Sequence, residues 1–200
     1  MNEPNSNRSD RFKNIVFVSI DVETDGPIPG PHSMLQLGAV AFTFASGDTP
    51  IGSFSANLRT LCAAQPDPRT MAWWFKDPVN ARVYAATRVD TQRPRVALGR
   101  FAAWVASLPG TPVCVAYPAG FDFMFLQWYL IRFRGESPFA RPCLDVRSYA
   151  SALLDLPPPA HTHVATDDAR EQGMLFMRML RTRDTAGIAS SSGAVGDCVR

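Results

Sequence analysis

Long apolar runs, lysine and paired cysteines are what this 200-residue chain has little of. No uninterrupted apolar stretch approaches the roughly 20 residues of a membrane-spanning helix, so a transmembrane helix is excluded. The four cysteines, Cys62, Cys114, Cys143 and Cys198, are far apart and form no CxxC pair. That spacing argues against a zinc ribbon or a disulfide scaffold and for a reducing compartment. The N-terminus, MNEPNSNRSDRFKN, lacks the apolar segment of a secretory signal, so a cytoplasmic location is expected. A net charge of only +2 is too weak for the positive field of a sequence-independent duplex binder, and any nucleic-acid role must be local.

What is present suffices for a core. With 46% hydrophobic and 19% charged residues, the length suits one ordinary globular domain. That domain is expected over residues 13–182. Residues 1–12, rich in Asn, Ser and Arg, and residues 183–200, with Ser190, Ser191, Ser192 and scattered Gly, read as disordered tails.

Residues 15–22 (IVFVSIDV) are β-branched and almost continuously apolar, as in a strand buried on both faces. A Gly- and Pro-containing loop, 25–32, leads to strands over 34–44 and 51–58, the second alternating with period two. Three strands on short loops predict an antiparallel meander. Asp67-Pro68 and Asp77-Pro78 each read as a cap and first-turn pair opening a helix. After Pro94, an apolar stripe of Phe101, Trp104, Val105 and Leu108 predicts a helix ending at Pro109-Gly110. A strand over 112–116, a helix from near Phe121 to Gly135, a brief strand over 144–146 and a helix over 147–154 follow. A proline-rich loop over 156–163 precedes a last helix over 166–181, with Ala169, Gly173, Phe176 and Leu180 on one face. The order predicts an α/β sandwich around a mixed sheet.

Three features carry chemistry. Asp21 and Glu23, in IDVETDG, are two apart on a strand and so share a face, while Val22 points to the opposite layer. Two carboxylates this close need a proton or a hard divalent cation; an exposed strand end is the plain alternative. Asp122 lies among Phe121, Phe123 and Phe125, where its neighbours demand burial; capping a helix N-terminus would explain it as well. In HTHVATDDAREQG, His161 and His163 precede a helix opening near Asp167 and Asp168. A loop histidine beside an acidic metal site suits a general base, and a His-x-His zinc site or an ordinary helix start are the alternatives.

Taken together, D-x-E after the first strand, an Asp in an apolar Phe-Asp context and H-x-x-x-x-D near the end resemble the three motifs of the DEDDh exonucleases. That family includes oligoribonuclease, ribonuclease T and the proofreading exonucleases of DNA polymerases. The resemblance spans about residues 15–180 and implies a ribonuclease H-like fold. It implies Asp21, Glu23, Asp122 and Asp168 as ligands of two divalent cations, Mg²⁺ or Mn²⁺, and His163 as general base, since His163 and not His161 has the four-residue gap to Asp168. It also implies 3′→5′ release of nucleoside 5′-monophosphates from single-stranded RNA or DNA 3′ ends, RNA being favoured, no membrane partner, and a homodimer such as many relatives form. Backbone groups at Thr24–Gly26 are placed to meet the terminal nucleotide, a hydrophobic wedge is expected at Met34 or Leu35, and Phe121 is expected to contact the terminal base or sugar. TMAWWFKDPVNARVY is similar to a segment of the bacterial and phage exoribonuclease branch; one of Trp73 and Trp74 should line the substrate groove or a subunit contact and the other pack inside. Two departures stand out: Pro118-Ala119-Gly120 replaces a frequent Asn, and Gln36 stands where an acid is frequent.

A catalytically silent nucleic-acid-binding module would be expected to lack one of the five positions, and none is missing. A structural protein whose acids merely cap helices would bind no divalent ion at the four acids. With those acids neutralised the remaining chain would carry +6, and 18 of its 20 basic residues are Arg, suited to bidentate phosphate contacts.

Overall fold

The computed structural model describes residues 12–153 and 162–189. Five strands, β1 (Ile15–Thr24), β2 (Met34–Thr43), β3 (Gly52–Asn57), β4 (Thr111–Ala116) and β5 (Leu144–Asp145), form one sheet in the order β3-β2-β1-β4-β5. β1, β2 and β3 are the expected antiparallel meander, and β4 and β5 lie parallel to their neighbours, β4 to β1 and β5 to β4. The β-branched β1 is central and buried on both faces, as its unbroken apolar pattern requires. β3 alternates buried Phe54 and Ala56 with outward serines, as an edge strand with one dry face should.

Among the described residues, six helices lie around the sheet: α1 (Pro68–Trp74), α2 (Pro78–Thr87), α3 (Pro94–Ala106), α4 (Ala119–Arg134), α5 (Val146–Leu153) and α6 (Ala165–Ala189). The Asp67 and Asp77 caps form as read: Asp67 accepts from the Thr70 N–H at 2.8 Å, and Asp77 from Val79 and Asn80 at 2.9 Å. One face of the sheet, from Val16, Val18, Ile20 and Val22, packs on α3 and α4 through Leu98, Phe101, Phe125 and Leu126. The other, from Phe17, Val40 and Phe42, packs on α6 through Ala169, Phe176 and Met177.

β1 runs two residues beyond the expected end, to Thr24, most other strand and helix ends shift by a residue or two, and three further differences have a visible setting. α3 ends at Ala106, so Leu108 lies past the helix yet still packs on the same core. α4 begins two residues before Phe121 because the Asp145 carboxylate accepts the Ala119 N–H at 2.6 Å, a long-range cap invisible locally. α6 continues to Ala189, beyond the expected end at Arg181, through a stretch without a breaker until Gly187. The remaining parts of the expected tails, His161 and most of the proline-rich loop lie outside the described residues.

α6 approaches β2 closely. A Cβ at Gly173 would run into the ring of buried Phe42, and one at Gly38 into the backbone of Ala165 and Thr166. Gly173→Ala should therefore destabilise the protein by about 1–3 kcal/mol despite alanine's better helix propensity, a fall of roughly 2–10 °C in Tm. Thermal unfolding checks this, and an unchanged or higher Tm would contradict the packing.

Candidate active site

The site gathers at one end of the sheet. β1 carries Asp21 and Glu23 on the face towards α6, while Val22 enters the opposite core, as the two-residue period demands. α6 brings Asp168 from that face. Of the adjacent pair, Asp167 is exposed and Asp168 is 2% exposed. Asp122 arrives in the first turn of α4, from the other layer, and its Oδ1 accepts the Val22 N–H at 3.3 Å. It caps no helix. Its Oδ2 is buried without a hydrogen-bond partner.

Neutral donors orient the other acids. Gln172 donates to Asp21 Oδ1 at 2.8 Å. Asp168 Oδ1 accepts from the Thr162 N–H at 2.7 Å and the Thr162 hydroxyl at 2.9 Å, and Oδ2 from the His163 N–H at 2.8 Å. These bonds hold His163 in the left-handed region, φ 61°, which a non-glycine residue adopts only when its surroundings impose it. The result brings ligand atoms of Glu23, His163 and Asp168 within 4.8 Å of one another. Gln172 had a readable signal, four residues after Asp168 on the same helix face. Thr162 had none beyond lying next to His163.

Beside the acids lies a pocket of about 240 Å³ lined by Glu23, Thr24, Gly26, Thr70, Trp73 and Phe121, among others. Thr24 and Gly26 both line it. Their loop is pinned by Asp25, whose carboxylate accepts the Ser33 N–H, and by the Asp67 N–H donating to the Asp25 carbonyl at 2.8 Å. A side chain at Gly26 would collide with His32. Phe121 is half-buried, stacked near Phe125, with an edge on the pocket.

Both tryptophans line this pocket but differ in burial. Trp74 is buried and its indole N–H donates to the Thr24 carbonyl at 3.0 Å. Trp73 lines the pocket, meets the His163 ring edge-on at 4.7 Å, and carries the Lys76 ammonium 5.2 Å above its own ring. The expected wedge is corrected: Met34 and Leu35 are both 0% exposed. Met34 belongs to the core, its N–H bonded to the Tyr129 hydroxyl, because an irregularity in the β1–β2 register turns it inward.

The electrostatics follow from this crowding. Burial first, then the Asp168 charge, pushes the Asp21 carboxyl from its ordinary 3.8 up to about 8, against the lowering effect of Gln172. Burial, followed by the charges of Asp21, Asp168 and Asp122, raises Glu23 well above the usual range; burial and then Asp21 raise Asp122. The native state therefore keeps protons that the unfolded chain has released, so stability is full below about pH 4 on this account and is lost as pH rises through about 8. In chelator, Tm should fall by on the order of 10 °C between about pH 5 and about pH 8, and Asp21→Asn should raise Tm at the upper pH. Calorimetric scans across that range test it; a flat or rising Tm would refute the account.

The comparisons with known proteins agree with this geometry. The family described as the 3'-5' exoribonuclease Rv2179c-like domain matches residues 16–180. The 3'-5' DNA exonuclease Cap18 of Escherichia coli is 33% identical over 180 residues, 80% of this chain and 89% of that protein. Among solved structures, the nuclease domain of 3'hExo, a DEDDh family member bound to rAMP, aligns with a TM-score of 0.63 at 13% identity, over 84% of this chain and 92% of that one. Escherichia coli Exonuclease I in complex with a 5cy-dT13 oligonucleotide aligns at 0.62 and 15% identity, over 88% of this chain but only 43% of that one. At such identities the two structures establish a shared ribonuclease H-like fold. The family match from the first strand to the last helix establishes the rest: the chain belongs to the 3'-5' exoribonuclease Rv2179c-like family and is a 3'-5' exonuclease.

Proposed function

We propose that the protein is a divalent-metal-dependent exonuclease that takes the 3′ end of a single strand into the Trp73–Phe121 pocket and releases nucleoside 5′-monophosphates. The observation that carries the metal requirement is the cluster of buried carboxylates, with Asp122 Oδ2 left without a partner and Glu23 and Asp168 within 4.8 Å of His163. Oxygen donors in this number suit Mg²⁺ or Mn²⁺ better than a soft metal. Asp21, Glu23, Asp122 and Asp168 would hold two such ions, which when bound supply an activated water and charge neutralisation at the leaving 3′ oxygen.

The chain's own residues do the remainder. His163 accepts the proton of the attacking water on its ring, which Trp73 walls on one side. Gln172 keeps Asp21 Oδ1 directed into the site, and the Thr162 and His163 N–H groups do the same for Asp168. The Thr24–Gly26 backbone meets the terminal sugar, with Trp73 and Phe121 offering aromatic surface to the base. Such stacking contributes roughly 1–3 kcal/mol per base and is indifferent to sequence. A pocket of about 240 Å³ is below the roughly 300–1,000 Å³ of drug-sized sites, in keeping with a single nucleotide rather than a duplex. RNA is the substrate favoured here, supported by the family description; the 33% identity to a protein named as a DNA exonuclease supports the second reading, DNA.

Matched 5′-labelled RNA and DNA oligomers, incubated with Mg²⁺ or Mn²⁺ and with chelator, test these assignments. Shortening from 3′-hydroxyl ends, mononucleotide products and silence in chelator are expected, with faster loss of RNA. Asp21→Asn, Glu23→Gln or His163→Ala should each lower kcat by about 100-fold or more. Full activity in chelator, or in Asp21→Asn, would sink the metal mechanism; equal or faster cutting of DNA would overturn the RNA assignment alone.

A further inference from the structure

Gln36 is buried on β2 and pairs in register with Glu23 across the β1–β2 ladder, so its side chain shares the face of the acids without belonging to them. Both ends of its amide are engaged. Oε1 accepts the Ala165 N–H at 2.9 Å, the first N–H of α6 and one that no helical carbonyl can serve. Nε2 donates to Asn57 Oδ1 at 2.8 Å, and Asn57 Nδ2 in turn donates to the carbonyls of Ala86 and Val89 at 2.9 and 2.8 Å. The amide orientation is thereby set: Asn57 spends its N–H groups beyond α2, presents only oxygen to residue 36, and leaves the Gln36 oxygen for α6.

Gly38 makes the same point sterically. It is two residues along the same face, opposite Asp21, and the backbone of Ala165 and Thr166 lies where its Cβ would be. The first turn of α6 thus rests directly on β2, gripped by one hydrogen bond and admitted by one missing side chain. His163 lies two residues before that grip and Asp168 three after it. An acid at position 36 could still accept from Ala165 but would face the Asn57 oxygen without a proton and would set another negative charge opposite Glu23.

We propose that Gln36 is a positioning residue for the exonuclease reaction: it docks the first turn of α6 on β2 and so sets His163 and Asp168 against Glu23. The inference rests on the roles proposed above for His163 and Asp168.

The test uses the full chain, Mn²⁺ and a single-stranded 3′-hydroxyl oligonucleotide. Gln36→Met, which keeps the shape and loses both hydrogen bonds, should lower kcat by on the order of 100-fold with KM within about threefold of the parent, because displacement of about 1 Å at reacting groups has that effect. Asn57→Ala, which frees only the far end of the amide, should lower kcat by on the order of 10-fold and guards against a poorly folded Gln36→Met. In a double-mutant cycle, Gln36→Met with His163→Ala should be little slower than His163→Ala alone, as expected of residues acting through one another. Loss of Tm with kcat per folded molecule within about twofold of the parent in both Gln36→Met and Asn57→Ala, or full additivity in the cycle, overturns the inference. If His163→Ala itself keeps the parent's kcat, the assignment of the base has failed, and Mn²⁺ titration calorimetry decides for Gln36. Binding weakened about 10-fold or more in Gln36→Met upholds the positioning of Asp168, and unchanged binding overturns it.

Discussion

Repulsion among the carboxylates of Asp21, Glu23, Asp122 and Asp168 works against folding at neutral pH, and the surrounding structure is organised to impose their approach. Two sit on the most deeply buried strand, whose backbone has no freedom to retreat. One is carried by a helix from each layer, and each of those helices is anchored by packing far larger than the site itself. The donors that hold Asp21, Asp122 and Asp168 are amides and one hydroxyl: Gln172, the Val22, Thr162 and His163 N–H groups, and the Thr162 side chain. Such partners fix direction without supplying an opposite charge. An arginine in any of these places would have stabilised the empty protein and spoiled the site.

The pocket beside the acids depends on a second set of constraints, between the loop after β1 and the corner at α1. Asp25 closes the loop on Ser33, Asp67 ties the start of α1 to the Asp25 carbonyl, and Trp74 ties its end to the Thr24 carbonyl. Trp73 is consequently held over the cleft by the burial of its neighbour. A flexible wall would lose part of any binding energy in ordering itself; this one is held in place by these bonds.

How much of this was legible in the sequence depended on range. The meander, the central apolar strand and the two Asp-Pro helix starts are local patterns, and the chain realises them nearly residue for residue. The five residues of the DEDDh-like pattern stood out by their order, and the structure brings them to one end of the sheet. What local reading could not supply were contacts between distant segments: the Asp145 cap that draws the α4 start back to Ala119, and the register irregularity that sends Met34 into the core. Gln36 was visible only as a departure from an acid. Its meaning required knowing that Asn57 presents an oxygen to it and Ala165 an N–H.

The connectivity of the site also has a temporal side. The Val22–Asp122 contact spans 100 residues and the Gln172–Asp21 contact 151, so the catalytic end of the sheet joins the beginning, middle and end of the chain. Contacts of such separation close late in folding, because loop entropy must be overcome before they return anything. During synthesis the D-x-E strand emerges long before α6 has been translated, and until then the nascent chain carries three of its four acids in a sheet still lacking one cover. The four acids thus come together only once α6 has been released and docks on the sheet.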